Sequence, residues 1–118
     1  ALHNYYSIGE LNSSGNSISE GIGQGRITKN LAEAPVDISF CLTDQEALPL
    51  LFDLMQNEGL YLGGSSAINV AGAMALANEL GPGHRVVTIL CDSGQRYHSK
   101  IWNPVFLRNK NLPVPSWI

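Results

Sequence analysis

The sequence predicts an α/β fold with a parallel sheet, and three observations carry that prediction. Val36-Asp37-Ile38-Ser39-Phe40-Cys41-Leu42 alternates apolar with small or polar residues, the period of two that marks a strand. Arg85-Val86-Val87-Thr88-Ile89-Leu90-Cys91 is a nearly unbroken apolar run, as expected of a strand covered on both faces in a parallel sheet. Between them lie two stretches with apolar residues at helical spacing, so strand and helix patterns alternate.

The elements follow in order. Ala1-Leu2-His3-Asn4-Tyr5-Tyr6 reads as the interior of a helix or loop, and the chain starts with Ala, so the sequence is expected to be a piece of something longer. From 9 to 25 it is rich in Gly, Ser and Asn, which predicts loop with at most a short strand around 17–20. Thr43-Asp44-Gln45-Glu46 matches the capping box, in which the Thr hydroxyl and the Glu carboxylate each take an end N–H. The helix it opens runs towards Glu58 with Ala47, Leu48, Leu51, Leu54 and Met55 on one face, and Gly59 stops it. Pro49 removes one internal hydrogen bond, so a bend or a start nearer Ala47 is expected. Leu60-Tyr61-Leu62 is a short strand candidate entering Gly63-Gly64-Ser65-Ser66. A second helix follows, with a small-residue ridge at Ala67, Ala71 and Ala75 and a stop at Gly81-Pro82-Gly83. The tail holds a short helix near 104–108 and a Pro-rich end.

At 118 residues one domain is enough, with about 66% of the unfolded surface buried in a compact fold of this mass. With 44% hydrophobic and 14% charged residues, neither disorder nor a coiled coil fits. Net charge −3 argues against a nucleic-acid partner, and no apolar run approaches the roughly 20 residues of a membrane span. The chain is expected to be soluble and cytoplasmic. Cys41 and Cys91 form no CxxC pair or disulfide framework and are expected to be buried thiols, with no metal site.

Candidate sites gather at strand ends. Gly63-Gly64-Ser65-Ser66 allows two readings: a tight turn with a serine capping the helix, or a ligand held beyond the strand by helix N–H groups and positive potential. Gly21-Ile22-Gly23-Gln24-Gly25 lacks the flanking strand and helix of a dinucleotide fingerprint, which leaves a flexible loop or a close backbone approach to a ligand. Asp92-Ser93-Gly94 ends the best strand and converges on the same edge as Gly64, although turn chemistry also explains it. His3, His84 and His98 show no ligand spacing, and Lys29, Lys100 and Lys110 sit in no apolar run that would desolvate them for imine chemistry.

Read together, Ser19-Glu20-Gly21-Ile22-Gly23-Gln24-Gly25, Glu58-Gly59-Leu60-Tyr61-Leu62-Gly63-Gly64-Ser65-Ser66 and 86–97 are similar to the C-terminal part of the cysteine synthase (O-acetylserine sulfhydrylase) family. The similarity runs from Ala1 to Ile118 and includes Leu112-Pro113-Val114-Pro115-Ser116-Trp117. Cystathionine β-synthase is the nearest cousin. The resemblance implies a fold-type II pyridoxal phosphate enzyme with two α/β domains per subunit. Residues 1–118 would be a C-terminal segment of its large parallel-sheet domain with flanking helices. It also implies a homodimer that uses O-acetylserine and sulfide in a β-replacement making L-cysteine. By the matching motifs, Ser65 would bond the pyridine nitrogen of pyridoxal 5'-phosphate, with Gly64 beside it and Ser66 free to cap the helix. Gly21 would lie beside the substrate, Glu20 matches the cystathionine β-synthase form of that loop, and Asp92 and Ser93 would line the cofactor ring. Cys91 stands where many relatives have Pro, and Ala67 replaces a usual Gly.

The family's cofactor-bearing lysine, its Asn-containing substrate loop and its Gly- and Thr-rich phosphate cradle would all lie upstream of Ala1. None of the three lysines here matches, so no catalytic residue is assigned in this chain beyond the candidate Glu20, and the chain alone is expected to be inactive. Three other readings are a cystathionine β-synthase fragment, a non-catalytic scaffold or binding module, and a nucleotide-binding half-fold.

Overall fold

The computed structural model describes residues 1–13 and 15–118. Five α-helices occur among them: α1 (Leu2–Ile8), α2 (Lys29–Ala32), α3 (Asp44–Glu58), α4 (Gly64–Leu80) and α5 (Pro104–Asn109). A 3-10 turn spans Gly94–Tyr97.

The start of α3 is the capping box that the sequence encodes. Thr43 Oγ1 accepts the Glu46 N–H at 3.3 Å, and Glu46 Oε2 accepts the Thr43 N–H at 2.8 Å and its hydroxyl at 2.7 Å. This satisfies end donors that a helix cannot satisfy internally, so α3 begins at Asp44 and not nearer Ala47. Pro49 sits inside the helix on an exposed face. Gly59 closes it at φ 68°, a left-handed value that costs glycine no Cβ clash.

Ala47, Leu48, Leu51 and Phe52 point inwards from α3 and meet Ala67 of α4, with Ile101 and Leu107 completing the buried core. The stripe is shifted from the expected face: Phe52 is buried, whereas Leu54 and Met55 are half-buried. Ala67 and Ala71 are buried as the small-residue ridge requires. Asn103 caps α5, its Oδ1 accepting the N–H groups of Val105 (2.9 Å) and Phe106 (3.3 Å). Trp102, Phe106, Leu112 and Val114 pack around the core from this end.

The parallel sheet is where structure and expectation part. Among the described residues 36–42 and 85–91 have no ladder partners, and 17–20 is irregular. The single bridge is antiparallel, between Leu62 and Ser93. A strand exists only when a second backbone lies alongside it, and no segment described here runs beside 36–42 or 85–91. The second of these is instead held against α4 by side chains. Asn69 Nδ2 donates to Ile89 O at 2.9 Å, Thr88 Oγ1 donates to Asn69 O at 3.3 Å, and the Cys91 N–H donates to Ser66 Oγ at 2.9 Å. Its outward side stays bare, with Val87 83% and Ile89 70% exposed. Cys41 and Cys91 are exposed and free, not buried, because each sits on one of these uncovered segments.

The accessible surface, 7851 Å², exceeds the roughly 6,200 Å² of a typical monomer of this mass. The radius of gyration, 15.1 Å, likewise exceeds the about 13.5 Å expected at this length. Among the described residues no helix is long and apolar enough to cross a membrane, and no group of three His, Cys, Asp or Glu side chains is placed to hold a metal.

Candidate functional site

Two tight turns cross at the N-terminus of α4. The Gly63 N–H donates to Asp92 O at 3.0 Å, the Gly94 N–H donates to Tyr61 O at 3.1 Å, and the Trp102 indole N–H donates to Leu62 O at 3.1 Å. The approach is so close that a side chain fits at none of the three glycines. A Cβ at Gly63 would collide with the Asp92 carboxylate and Tyr97. One at Gly64 would lie 2.8 Å from Ile101 Cδ1 and 3.2 Å from Ser19 Oγ, and one at Gly94 would lie 2.6 Å from Trp102 Nε1. These glycines are therefore demanded by packing, at negative φ or extended backbone, and not by a left-handed turn.

The two serines divide their roles. Ser66 is fully buried, and its hydroxyl accepts the Cys91 N–H; it fastens 85–91 to α4 and does not cap the helix. The N-cap is Gly63, which offers no side chain. Ser66 is the third residue past that cap, too far into the first turn to serve there. Ser65 is half-buried, and among the described residues its hydroxyl has no hydrogen-bond partner. It stands in the first turn of a 17-residue helix, where unpaired N–H groups create positive potential.

Asp92 is tied into the same crossing. Its Oδ2 accepts the Tyr97 hydroxyl at 2.7 Å, while Oδ1 is buried without a partner. The hydrogen bond to Asp92, together with burial and the nearby carboxylate charge, pushes the Tyr97 phenol above its ordinary value of 10.0. Ser93 is exposed and caps the 3-10 turn, its Oγ accepting the Gln95 N–H at 3.3 Å.

The loop through Glu20 and Gly21 is drawn to this place from the far end of the chain. Asp44 anchors it, accepting the Ser17 hydroxyl at 2.7 Å and the Ile18 N–H at 2.8 Å. Ser19 then abuts Gly64, and the Glu20 carboxylate pairs with the Lys100 ammonium. Hydrogen bonding and charge from Lys100 hold Glu20 below its ordinary 4.5. Gly21, at φ 80°, is exposed with open space around it, so its backbone faces solvent beside the crossing. Glu20, Gly64, Ser65, Asp92 and Ser93 are thus brought to one edge, with Gly21 at its rim.

Three further residues belong to the same edge: Tyr97, to which the sequence reading gave no role, Lys100, which it set aside for imine chemistry, and Ile101, which it did not name. Tyr97 and Lys100 follow the Asp92 turn by five and eight residues, a spacing that signals nothing until the 3-10 turn folds them back. Lys100 meets Glu20 across 80 positions, a contact with no local signature.

The residues present suit the pyridine end of pyridoxal phosphate. A neutral hydroxyl with no hydrogen-bond partner among the described residues lies at a helix N-terminus, while the space beside Gly63, Gly64 and Gly94 is filled by Asp92, Tyr97, Ile101 and Trp102. Asp92, already bonded to Tyr97 and buried behind Gly63, is not available as a carboxylate for the ring nitrogen.

Residues 4–92 match the family model described as pyridoxal-phosphate dependent enzyme. The chain is 46% identical over 104 residues to cysteine synthase 2 of Schizosaccharomyces pombe, covering 85% of the chain and 26% of that protein. It is 44% identical over 115 residues to cysteine synthase 1 of Neurospora crassa, covering 94% of the chain and 31% of that protein. Cystathionine beta-synthase of Oryctolagus cuniculus matches at 41% over 93 residues, 79% of the chain and 17% of that protein. The chain thus spans about a quarter to a third of the length of the cysteine synthases it matches.

Proposed function

Since the chain belongs to the pyridoxal-phosphate dependent enzyme family, we propose that it forms the pyridine-side wall of a cysteine synthase site, in an enzyme that makes L-cysteine from O-acetylserine and sulfide. What supports this reading most is the contrast between the two serines: Ser66 is spent on Cys91, and the Ser65 hydroxyl at the start of α4 has no hydrogen-bond partner among the described residues.

Pyridoxal phosphate, when bound, supplies the electron-withdrawing ring that lets an activated serine lose its β-substituent and accept sulfide. Ser65 would hold the ring nitrogen through its hydroxyl, a neutral partner that would not favour a full positive charge there. The helix N-terminus acts in the same direction, since its positive potential disfavours a proton there. The result is a weaker electron sink than a carboxylate partner would give, suited to expelling a leaving group. Asp92 and Ser93 would flank the ring from the crossing turn, with the Asp92 carboxylate committed to Tyr97. Gly21 offers its backbone to the substrate at the rim, and Glu20, held ionised by Lys100, fixes that loop. No lysine of this chain is assigned to the cofactor: Lys100 is engaged with Glu20.

The cofactor-bearing lysine would come from an upstream part of the enzyme, in one homodimeric assembly. Segments 36–42 and 85–91 would then gain their partner strands in the large domain's parallel sheet. The bare apolar faces of Val87 and Ile89 favour this.

The test is to join the chain to the upstream part of a related cysteine synthase and follow both the visible absorption of bound pyridoxal phosphate and cysteine formation. Ser65→Ala should weaken cofactor binding and lower turnover with the fold intact. Undiminished binding and turnover in that variant would refute the assignment. The match to cystathionine beta-synthase carries a second reading, in which homocysteine replaces sulfide; comparing the two acceptors in the same preparation separates them.

A further inference from the structure

The Ser65 edge is bordered by a segment that belongs to no helix, residues 17–21, and it is held at two places of unequal strength. At its outer end the Glu20 carboxylate pairs with the Lys100 ammonium, but these side chains are 65% and 44% exposed, so water screens the attraction. At its root the holder is Asp44, in the first turn of α3. One carboxylate oxygen, Oδ1, accepts the Ser17 hydroxyl at 2.7 Å, and the other, Oδ2, accepts the Ile18 N–H at 2.8 Å. Two adjacent residues are thus held by one carboxylate, the stronger kind of hydrogen-bond acceptor.

Ser17 passes this constraint along the chain. While its hydroxyl donates to Asp44, its Oγ accepts the Ser19 N–H at 3.0 Å, a local turn that directs the backbone towards α4. Ile18 packs against the core, and Ser19 Oγ lies 3.2 Å from where a Cβ on Gly64 would stand. Past Glu20 the support ends. Gly21, Gly23 and Gly25 have open space around them, and the one side-chain bond there is the local one from Arg26 Nε to Gln24, among the described residues.

Asp44 does this without being needed to start its own helix. The cap of α3 is the reciprocal pair of Thr43 and Glu46, which uses neither oxygen of Asp44. The crossing that carries Ser65 is likewise independent of it, being held by bonds among Tyr61, Leu62, Gly63, Asp92, Gly94 and Trp102.

We propose that Asp44 is a positioning residue: through Ser17 and Ile18 it sets where Glu20 and Gly21 stand beside the Ser65 edge, and thereby the affinity for the amino-acid substrate and not for the cofactor. This rests on the reading of that edge as the pyridine-side wall with Gly21 beside the substrate.

The test uses the chain joined to the upstream part of a related cysteine synthase, with cysteine formation and the absorption of bound pyridoxal phosphate followed separately. Asp44→Ala should raise KM for O-acetylserine at least fivefold, with less than a twofold change in cofactor affinity. Ser17→Ala removes one of the two bonds and leaves α3 untouched, so it should raise KM in the same direction. The double variant should fall well short of the product of the two effects, because both act through one contact. Unchanged KM in both single variants, effects that multiply, or a loss of cofactor affinity as large as the rise in KM would each overturn the proposal. In the full chain by itself the Ile18 amide should exchange at least fivefold faster in Asp44→Ala with the α3 amides unchanged, and equal exchange at Ile18 would overturn the proposal whatever the joined protein does. Failure of the wall reading is distinct: the unsubstituted joined protein would then bind no pyridoxal phosphate or form no cysteine, which removes this inference with it.

Discussion

The α3–α4 pair and the 85–91 segment are both strongly apolar, yet one is closed and the other open. In α3 the apolar residues fall on one stripe, which finds Ala67, Ile101 and Leu107 within the same chain. In 86–91 they follow one another with only Thr88 between, so some of them point away from whatever covers the others. Side-chain bonds from Asn69 and Ser66 hold the inner side against α4, and Val87 and Ile89 remain in solvent. An amphipathic element can be completed by one neighbour, whereas an apolar strand needs a neighbour on each face and each edge. The difference marks which part of the molecule is self-sufficient and where a further layer belongs.

The sharpest way to break this comparison is Leu51→Ala. Leu51 is fully buried in the closed half, so its truncation should cost roughly 2–5 kcal/mol in denaturant unfolding. A loss under 1 kcal/mol would mean that the helix pair is no better packed than the open segment. Ser66→Ala comes next, because it leaves the Cys91 N–H without its acceptor. It should cost about 1–2 kcal/mol and, in amide exchange, loosen 85–91 much more than α3.

Acid should act at the start of α3. Bonds from Thr43 hold the folded Glu46 carboxyl below its ordinary 4.5, so it contributes stability above that pH and loses it as pH falls through the lower folded value. Glu20, lowered by Lys100, acts in the same sense. Thermal melting between pH 7 and pH 3 should therefore fall, and Glu46→Gln should flatten the dependence; an unchanged slope in that variant would remove the capping box as its source. The smallest effect is expected for Val87→Asn, within about 0.5 kcal/mol in the chain alone, since Val87 is 83% exposed. The same change should become severe once an upstream partner covers this face, and equal effects in both settings would show that nothing docks there.

Much of the local structure was legible because its causes are local. The Thr43 to Glu46 spacing names the start of α3, Gly59 its end, Gly81-Pro82-Gly83 the end of α4, and Pro104 the beginning of the tail helix. The strands were not legible in this way. Residues 36–42 and 85–91 carry strand patterns, but a pattern states only what a segment would do beside a partner. The role of Ser66 was likewise misread: as a residue type it suits a cap, but its position in the first turn aims it at Cys91.

By itself, then, the sequence determined the limits of α3, the end of α4, the start of α5 and the glycine and serine turn, since caps and glycine act over a few residues, whereas the core-facing stripe of α3 shifted in the fold to take in Phe52. Only the tertiary structure decided that Ser66 Oγ takes the Cys91 N–H while the Ser65 hydroxyl has no partner among the described residues, that Lys100 reaches Glu20 across 80 positions, and that two tryptophans and a tyrosine pack together. Those facts depend on how distant segments are brought together around the α3–α4 core, and no short window of sequence contains both members of any such contact.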